Sequence, residues 1–337
     1  MRLLNTLYVT DHRYRVSVSK GALEVRVAGE LVARVPMAGL DGVILVGAAD
    51  MTMQSLGQCV QRGISVASVH TSGRLRFVVH GSTSGNVLLR LSQYRIATNT
   101  TASIHLAKRF VSAKLQNQRH LMRRWRDGVD GEHVRRLTEV IADRIRALPS
   151  ASDGDTLRGL EGDASRRYFK ALGAHLGSVA PPFTFMSRSR RPPRDPVNAI
   201  LSYLYSLLTI DAVGSLEAVG LDPQVGFLHQ PRPGRPSLAL DLVEEFRAPF
   251  AERFAVRVLR RREISPEMFV RVGDAYYLSD DGRKALLARW EEFRSEEVDH
   301  PLLERPVSRS LVPKVQATLL ARYLRGDLSD YPPFVCR

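Results

Sequence analysis

Along residues 14–36, YRVSVSKGALEVRVAGELVARVP, apolar and polar residues alternate through Val16, Val18, Leu23, Val25 and Val27. A period of two is that of half-buried strands, and Gly21 and Gly29 supply the turns between them. GVILVG (42–47) is a short continuous apolar run, as in a strand covered on both faces. MTMQSLGQCVQRG then predicts a helix stopped at Gly63, and ISVASVHTSGRLRFVVHG a hairpin turning at Ser72-Gly73. The first part therefore reads as strands with one packed helix.

From about residue 87 the spacing of apolar residues changes to three and four. NVLLRLSQYRIATN, ASIHLAKRFVSAKLQNQRHLMRRWR and TLRGLEGDASRRYFKALGAHL all carry it. The expected fold class is α+β with two domains: a small β-rich N-terminal domain over 1–90 and a larger all-α domain over 91–337. ALPSASDGD (147–155) and VAPPFTFMSRSRRPPRDP (179–196) are irregular by composition. DPVNAILSYLYSLL starts a helix cleanly. Asp195 is suited to cap it, Pro196 to its first position, and Val197, Ile200, Leu201, Leu204 and Leu208 to its buried stripe. A closing helix is expected over about 309–325.

Composition narrows the setting. No run of about 18 apolar residues occurs, so no membrane-spanning helix is expected, and MRLLNTLYVTDHRY is too polar for a signal peptide. Two cysteines, Cys59 and Cys336, lie far apart without metal spacing, which fits a reducing cytoplasm. The 49 Lys+Arg residues outnumber 35 Asp+Glu residues, for a net charge of +14. Such a field favours a polyanionic partner. Residues 101–150 hold eleven basic and five acidic residues, a difference of six, with Lys108, Lys114, Arg119, Arg123, Arg124 and Arg126 on helix faces. A charge run of this kind is by default a solvated face, and a DNA-facing surface is the alternative.

The chemistry gathers in GFLHQPRPGRPSLALDLVEEFRAPF (226–250). Pro231, Pro233 and Pro236 stiffen the segment after His229, and Ser237 is placed to cap the helix that follows. Leu238, Leu242, Phe246 and Phe250 form an apolar stripe, with Asp241, Glu244 and Glu245 to one side of it. Like charges at this spacing repel, and a cation removes the conflict. Carboxylates with one imidazole suit Mg²⁺ or Mn²⁺. The bland alternative is that Glu244 and Glu245 are surface acids that pair with Arg247 or a neighbouring helix, and that His229 is an ordinary loop histidine. RGLEGDASRRYF offers a further acid, Glu161, at the border of that helix's buried side, with Asp163 as its competitor and Arg166 and Arg167 one to two turns on.

Four segments in this order, LRGLEGDASRRYF, RPPRDPVNAILSYLYSLL, GFLHQPRPGRPSLALDLVEEFRAPF and the terminal YPPF, resemble the CRISPR-associated spacer-acquisition integrases. The resemblance runs over nearly the whole chain and is closest over 157–250. Length and ending are most similar to the type I-C branch. It implies a divalent-metal site, Mg²⁺ or Mn²⁺, in the helical domain. On the family's motifs, Glu161, His229 and Glu244 fall on the metal ligands. Asp241 falls on a fourth catalytic position, as a ligand, a partner of a ligand or a water-positioning group. Arg166, Tyr168, Asn198, Tyr205 and Arg247 are candidates for lining the site or touching DNA.

The reaction implied is transesterification, in which the 3′-hydroxyl of a captured DNA fragment attacks a phosphodiester at the edge of a repeat. The partners implied are double-stranded DNA, a second copy of the chain joined through the N-terminal domain, a small ferredoxin-like adaptation protein and an iron–sulfur adaptation nuclease. The competing reading is a non-catalytic basic DNA-binding scaffold, for which Glu161, His229 and Glu244 have no use.

Overall fold

The computed structural model describes residues 5–79, 81, 87–125 and 131–336. Arg126 falls outside them. The chain divides into two units, Met1–Ser84 with Ser279–Glu296, and Gly85–Leu278 with Glu297–Arg337.

The first unit contains β1 (Asn5–Val9), β2 (Arg15–Ser19), β3 (Ala22–Val27), β4 (Glu30–Pro36), β5 (Leu40–Val46), β6 (Asp50–Met51), α1 (Met53–Gln61), β7 (Ser65–Val69) and β8 (Leu75–Val79). They form two four-stranded sheets, in the orders β1-β5-β7-β8 and β4-β3-β2-β6. The alternating stretch is the antiparallel meander β2-β3-β4. Its turns place Lys20-Gly21 and Ala28-Gly29 at positive φ, the geometry of two-residue hairpin loops. The apolar run is β5, a central strand lying parallel to both β1 and β7. Its Val43, Ile44, Leu45 and Val46 are all buried, as an interior strand requires. α1 starts at the Thr52 cap and ends before Gly63, and β7 and β8 form the expected hairpin.

A helix at Asp280–Ser295 also belongs to this unit, although the sequence assigns these residues to the helical part. It is capped by Ser279 and buries Leu286, Leu287, Trp290 and Phe293. The Tyr8 hydroxyl donates to Glu291 Oε1 at 2.8 Å. Such a return of the chain depends on long-range packing, of which helical periodicity carries no trace.

The second unit is helical: α2 (Val87–Thr98), α3 (Thr100–Arg123), α4 (Gly131–Ala147), α5 (Gly154–Val179), α6 (Pro196–Ala218), α7 (Ser237–Val243) and α8 (Arg253–Arg260). The helix of the first unit is α9, and α10 is Val312–Arg325. Two short hairpins, β9–β10 (Phe269–Val272, Ala275–Leu278) and β11–β12 (Glu297–His300, Arg305–Ser308), add to the expected helices. α6 begins as its sequence predicts, with Asp195 accepting from the Asn198 amide and Pro196 at the first position. By length and composition α6 can cross a membrane, contrary to the expectation of no such helix, but 67% of its most apolar window is buried in the fold. A helix apolar on all sides is here the central helix of a core.

α7 departs from expectation at its start. Pro236 holds the cap position, and Ser237, fully buried, donates its hydroxyl to the Gln230 carbonyl at 3.1 Å. Past α7 the helix widens to a π-turn over Arg247–Glu252. Pro249 has no amide hydrogen to give to the Glu245 carbonyl four residues back. The Asn117 side chain of α3 supplies that donor instead, at 2.8 Å.

Candidate active site

α3, α5, α7 and the segment before α7 bring four of the predicted residues together. The centre is Lys114 of α3, whose ammonium contacts Glu161 of α5 and lies 2.9 Å from Glu244 Oε2. Arg247 lies 3.0 Å from Glu244 Oε1, and His229 Nε2 4.0 Å from the same oxygen. Lys114 and Glu244 are buried, and Glu161 is partly open to solvent. Burial opposes the charge on Glu244, but Arg247, Lys114 and His229 outweigh it and hold the carboxyl down to about 2. Burial likewise opposes the charge on Lys114, and Glu244 and Glu161 keep its pKa above the usual lysine value. Both groups are therefore charged at neutral pH.

Asp241 does not face this cluster with a free oxygen. It is 0% exposed, and it accepts from the backbone amides of Phe227 (2.6 Å), Leu228 (3.0 Å) and His229 (2.9 Å). It also meets His229 Nδ1 at 2.7 Å. A carboxylate only accepts, so Nδ1 carries a proton, and Nε2 is the ring nitrogen on the Glu244 side. This geometry is that of a group that orients the His229 imidazole. Gly226 makes the approach feasible, because a Cβ there would lie 2.7 Å from Asp241 Oδ2 and 2.8 Å from the Ser237 backbone. Asp241→Asn keeps the shape but sets an amide NH₂ against N–H donors. It is expected to weaken divalent-ion binding by roughly 10- to 100-fold. Unchanged affinity in a Mn²⁺ titration would count against this role.

The other candidates sit elsewhere or act indirectly. Asp163, the competitor of Glu161, is taken up by Arg144 and Arg167 at 2.8 and 3.1 Å. Arg166 is exposed and pairs weakly with Asp163 at 3.5 Å. Tyr168 is fully buried against Trp125 and Phe169, a core position rather than a surface for DNA. Asn198 is also buried. Its side chain binds the Ser187 carbonyl, the Ser189 amide and Arg188, and so pins the irregular segment before α6. The guanidiniums of Arg188 and Arg247 both lie over the Tyr205 ring, 5.1 and 4.8 Å from its centroid. Its hydroxyl donates to buried Glu252. Tyr205 therefore steadies Arg247, which in turn holds Glu244.

Glu245, adjacent to Glu244, turns the other way. It accepts from the Tyr331 hydroxyl (2.6 Å), the Phe334 amide (2.7 Å) and Gln316 (2.8 Å). Burial pushes its carboxyl up to about 8 against these three donors. The folded pKa then lies above the unfolded value of roughly 4.3. Stability from the neutral acid is complete below that value and is lost as pH rises through about 8. Urea midpoints of the wild type should therefore fall between pH 6 and 9, and those of Glu245→Gln should fall less. Parallel curves would show that Glu245 is ionised throughout.

The donors at Glu161, His229 and Glu244 fit a hard divalent ion in kind: two carboxylates and one oriented imidazole. Among the described residues no three acidic, histidine or cysteine side chains already stand at metal-binding spacing. Instead, the two carboxylates share the lysine ammonium. Lys114 was not singled out for this site by its sequence. The available signal is that Ala107, Phe110, Lys114, Asn117 and Leu121 lie three or four residues apart on one buried stripe of α3.

Residues 7–292 match the family model described as CRISPR associated protein Cas1. The chain is 39% identical to CRISPR-associated endonuclease Cas1 1 of Chlorobaculum tepidum, over 99% of each chain. It is 40% identical to CRISPR-associated endonuclease Cas1 2 of Rhodospirillum rubrum, over 99% of this chain and 98% of the relative. A Cas4 exonuclease/Cas1 endonuclease fusion of Geobacter sulfurreducens is 36% identical over 98% of this chain and 60% of its own length. Among solved structures, a casposase bound to integration product shares the fold with a TM-score of 0.83 at 21% identity, over 97% of this chain and 92% of that one. A chain of a Cas6-RT-Cas1–Cas2 complex gives 0.82 at 21% identity, over 99% of this chain and 36% of that one.

Proposed function

The chain belongs to the CRISPR-associated Cas1 family, and from that premise we propose that it is a divalent-metal-dependent DNA endonuclease and integrase that inserts captured fragments into a CRISPR array. The observation that carries this reading is the convergence of Glu161, His229 and Glu244 on one small polar site, with Asp241 orienting the imidazole. A scaffold that only binds DNA has no need of a buried carboxylate and a half-buried one balanced on a single lysine.

Glu161, His229 Nε2 and Glu244 are the residues that would hold Mg²⁺ or Mn²⁺. Bound there, the ion would polarise the scissile phosphate and neutralise charge on the departing 3′-oxygen. The protein's own residues do the rest. Asp241 orients the imidazole through Nδ1, the Tyr205 ring steadies Arg247, and Arg247 holds Glu244 against Lys114. The 3′-hydroxyl of a DNA fragment then attacks the phosphodiester at the repeat edge, and water in its place gives hydrolysis. The net charge of +14 supports a DNA partner.

The partners proposed are a second copy of the chain, a small Cas2-type protein and an iron–sulfur Cas4-type nuclease. The relative fused to Cas4 and the complex containing Cas1 and Cas2 support the last two. The type I-C branch is proposed on the YPPF motif at 331–334, and the cytoplasm as the compartment on two buried cysteines that lie far apart in the sequence. The test is Mn²⁺- or Mg²⁺-dependent cleavage or strand transfer on a supercoiled plasmid carrying a repeat, with DNA binding followed in parallel. The wild type is compared with Glu161→Ala, His229→Ala and Glu244→Ala. Undiminished activity in the variants, or none in the wild type with partners supplied, would return the protein to the scaffold reading.

A further inference from the structure

Lys114 is one of six lysines in a chain otherwise supplied with arginine. It is also among the buried charged residues, at 7% exposure. Its ammonium is the group that touches both candidate acid ligands: Glu161 Oε1 and, at 2.9 Å, Glu244 Oε2. Arg247 cannot do the same work, because it reaches Glu244 through the other oxygen, Oε1. Ser165 adds only a neutral hydroxyl bond to Glu161, at 2.8 Å.

A Mg²⁺-like ion bound by these two carboxylates would sit about 2.0–2.1 Å from their oxygens, inside the gap now spanned by the ammonium. Two cations do not share such a gap. Without a cation in the gap, Glu161 and Glu244 would face each other with Arg247, on Glu244 Oε1, as the remaining close charge partner. A lysine suits an exchange between these states better than an arginine. It is a compact charge on a flexible four-carbon stem, free of the planar fork that fixes a guanidinium in one geometry.

We propose that Lys114 is a built-in counter-cation of the site, which holds Glu161 and Glu244 in place without metal and is displaced when a divalent ion binds between them. The inference rests on the metal-site reading and goes beyond it by assigning a competitor to the ion. Lys114 is thus a positioning residue. It makes the empty site stable and sets the ion affinity lower than the carboxylates alone would give. No bond is made or broken in the exchange; one cation replaces another.

The experiment has two arms, neither of which reads catalysis. In the unmutated protein, lysine acetylation footprinting by mass spectrometry is run with and without Mn²⁺. Labelling of Lys114 is expected to rise several-fold with the ion, while the other five lysines serve as internal controls. A lysine that stays fixed beside the metal would remain protected, and that result overturns the proposal.

In the second arm, Mn²⁺ is titrated calorimetrically into wild type, Lys114→Met and Lys114→Arg. Lys114→Met removes charge-assisted bonds that the ion must otherwise break, so its affinity should rise roughly tenfold or more. Its melting temperature should be lower without metal and should gain more from Mn²⁺ than the wild type does. Lys114→Arg, which keeps the charge, should bind no more tightly than wild type. Equal affinity in Lys114→Met, with wild-type binding that Glu161→Gln weakens, overturns the exchange alone. Wild-type binding that neither Glu161→Gln nor Glu244→Gln alters overturns the metal site and the exchange together.

Discussion

Glu244→Ala is expected to lower metal-dependent cleavage and strand transfer by roughly a thousandfold while leaving DNA binding within a few-fold. A metal site supplies several kcal/mol of charge stabilisation in the transition state, and each 1.36 kcal/mol is a factor of ten in rate. Glu244 is the point where the site's contacts meet: Lys114 at 2.9 Å, Arg247 at 3.0 Å and His229 Nε2 at 4.0 Å. Its removal leaves two buried cations with Glu161 as the remaining acid, and breaking a buried pair costs about 3–5 kcal/mol of stability. Glu244→Gln, which keeps the shape, therefore accompanies the alanine variant, and circular dichroism separates lost chemistry from lost fold.

The pH profile adds a check on the same residue. Charge partners hold Glu244 down to about 2, against its burial. A depressed carboxyl contributes stability above its unfolded value of roughly 4.3, and that contribution is lost as pH falls through the folded value. Glu244 is ionised across the working range, so an acidic limb of activity near pH 6 belongs to another group. A glutamine variant within tenfold of wild-type activity would remove Glu244 from the site.

How much of this was legible in the chain depended on whether a signal was local. Asp195-Pro196 announced α6 because a cap and a first-turn proline are decided by their immediate neighbours. His229, Asp241 and Glu244 were legible because the stiff segment and the helix that carry them are contiguous. Glu245 was not separable from Glu244 on the sequence, since both adjoin the apolar stripe. The packing of Gln316, Tyr331 and Phe334 turns Glu245 to the opposite side.

Lys114 and Asn117 were hidden for a different reason. A basic or amide residue on a helix is ordinarily solvated, and their burial follows from partners 47 to 219 residues away. Ser237 is not the cap its sequence suggests, because the Pro236 backbone already starts the helix and leaves the Ser237 hydroxyl to tie down Gln230. The failures share one cause: each needed a contact between segments that periodicity treats separately.

Phe334→Ala is expected to destabilise the helical unit by about 3–5 kcal/mol, the usual cost of emptying a buried phenylalanine site. That corresponds to a fall of roughly 10 °C in melting temperature at about 2–4 °C per kcal/mol. Phe334 is 0% exposed and packs with Phe246, Phe250 and His300 at ring distances of 6.2, 5.7 and 5.7 Å. Its amide donates to Glu245 and its carbonyl accepts from Asn117, which also holds the Glu245 carbonyl and the Cys336 amide. The segment around Phe334 is therefore bound to the back of the turn whose front carries Glu244. Loosening it should let the turn shift, so that activity is lost on warming before the unit melts. Differential scanning calorimetry with a temperature series of plasmid cleavage reads both effects. A melting change under 2 °C would mean that this segment does not hold the turn in solution.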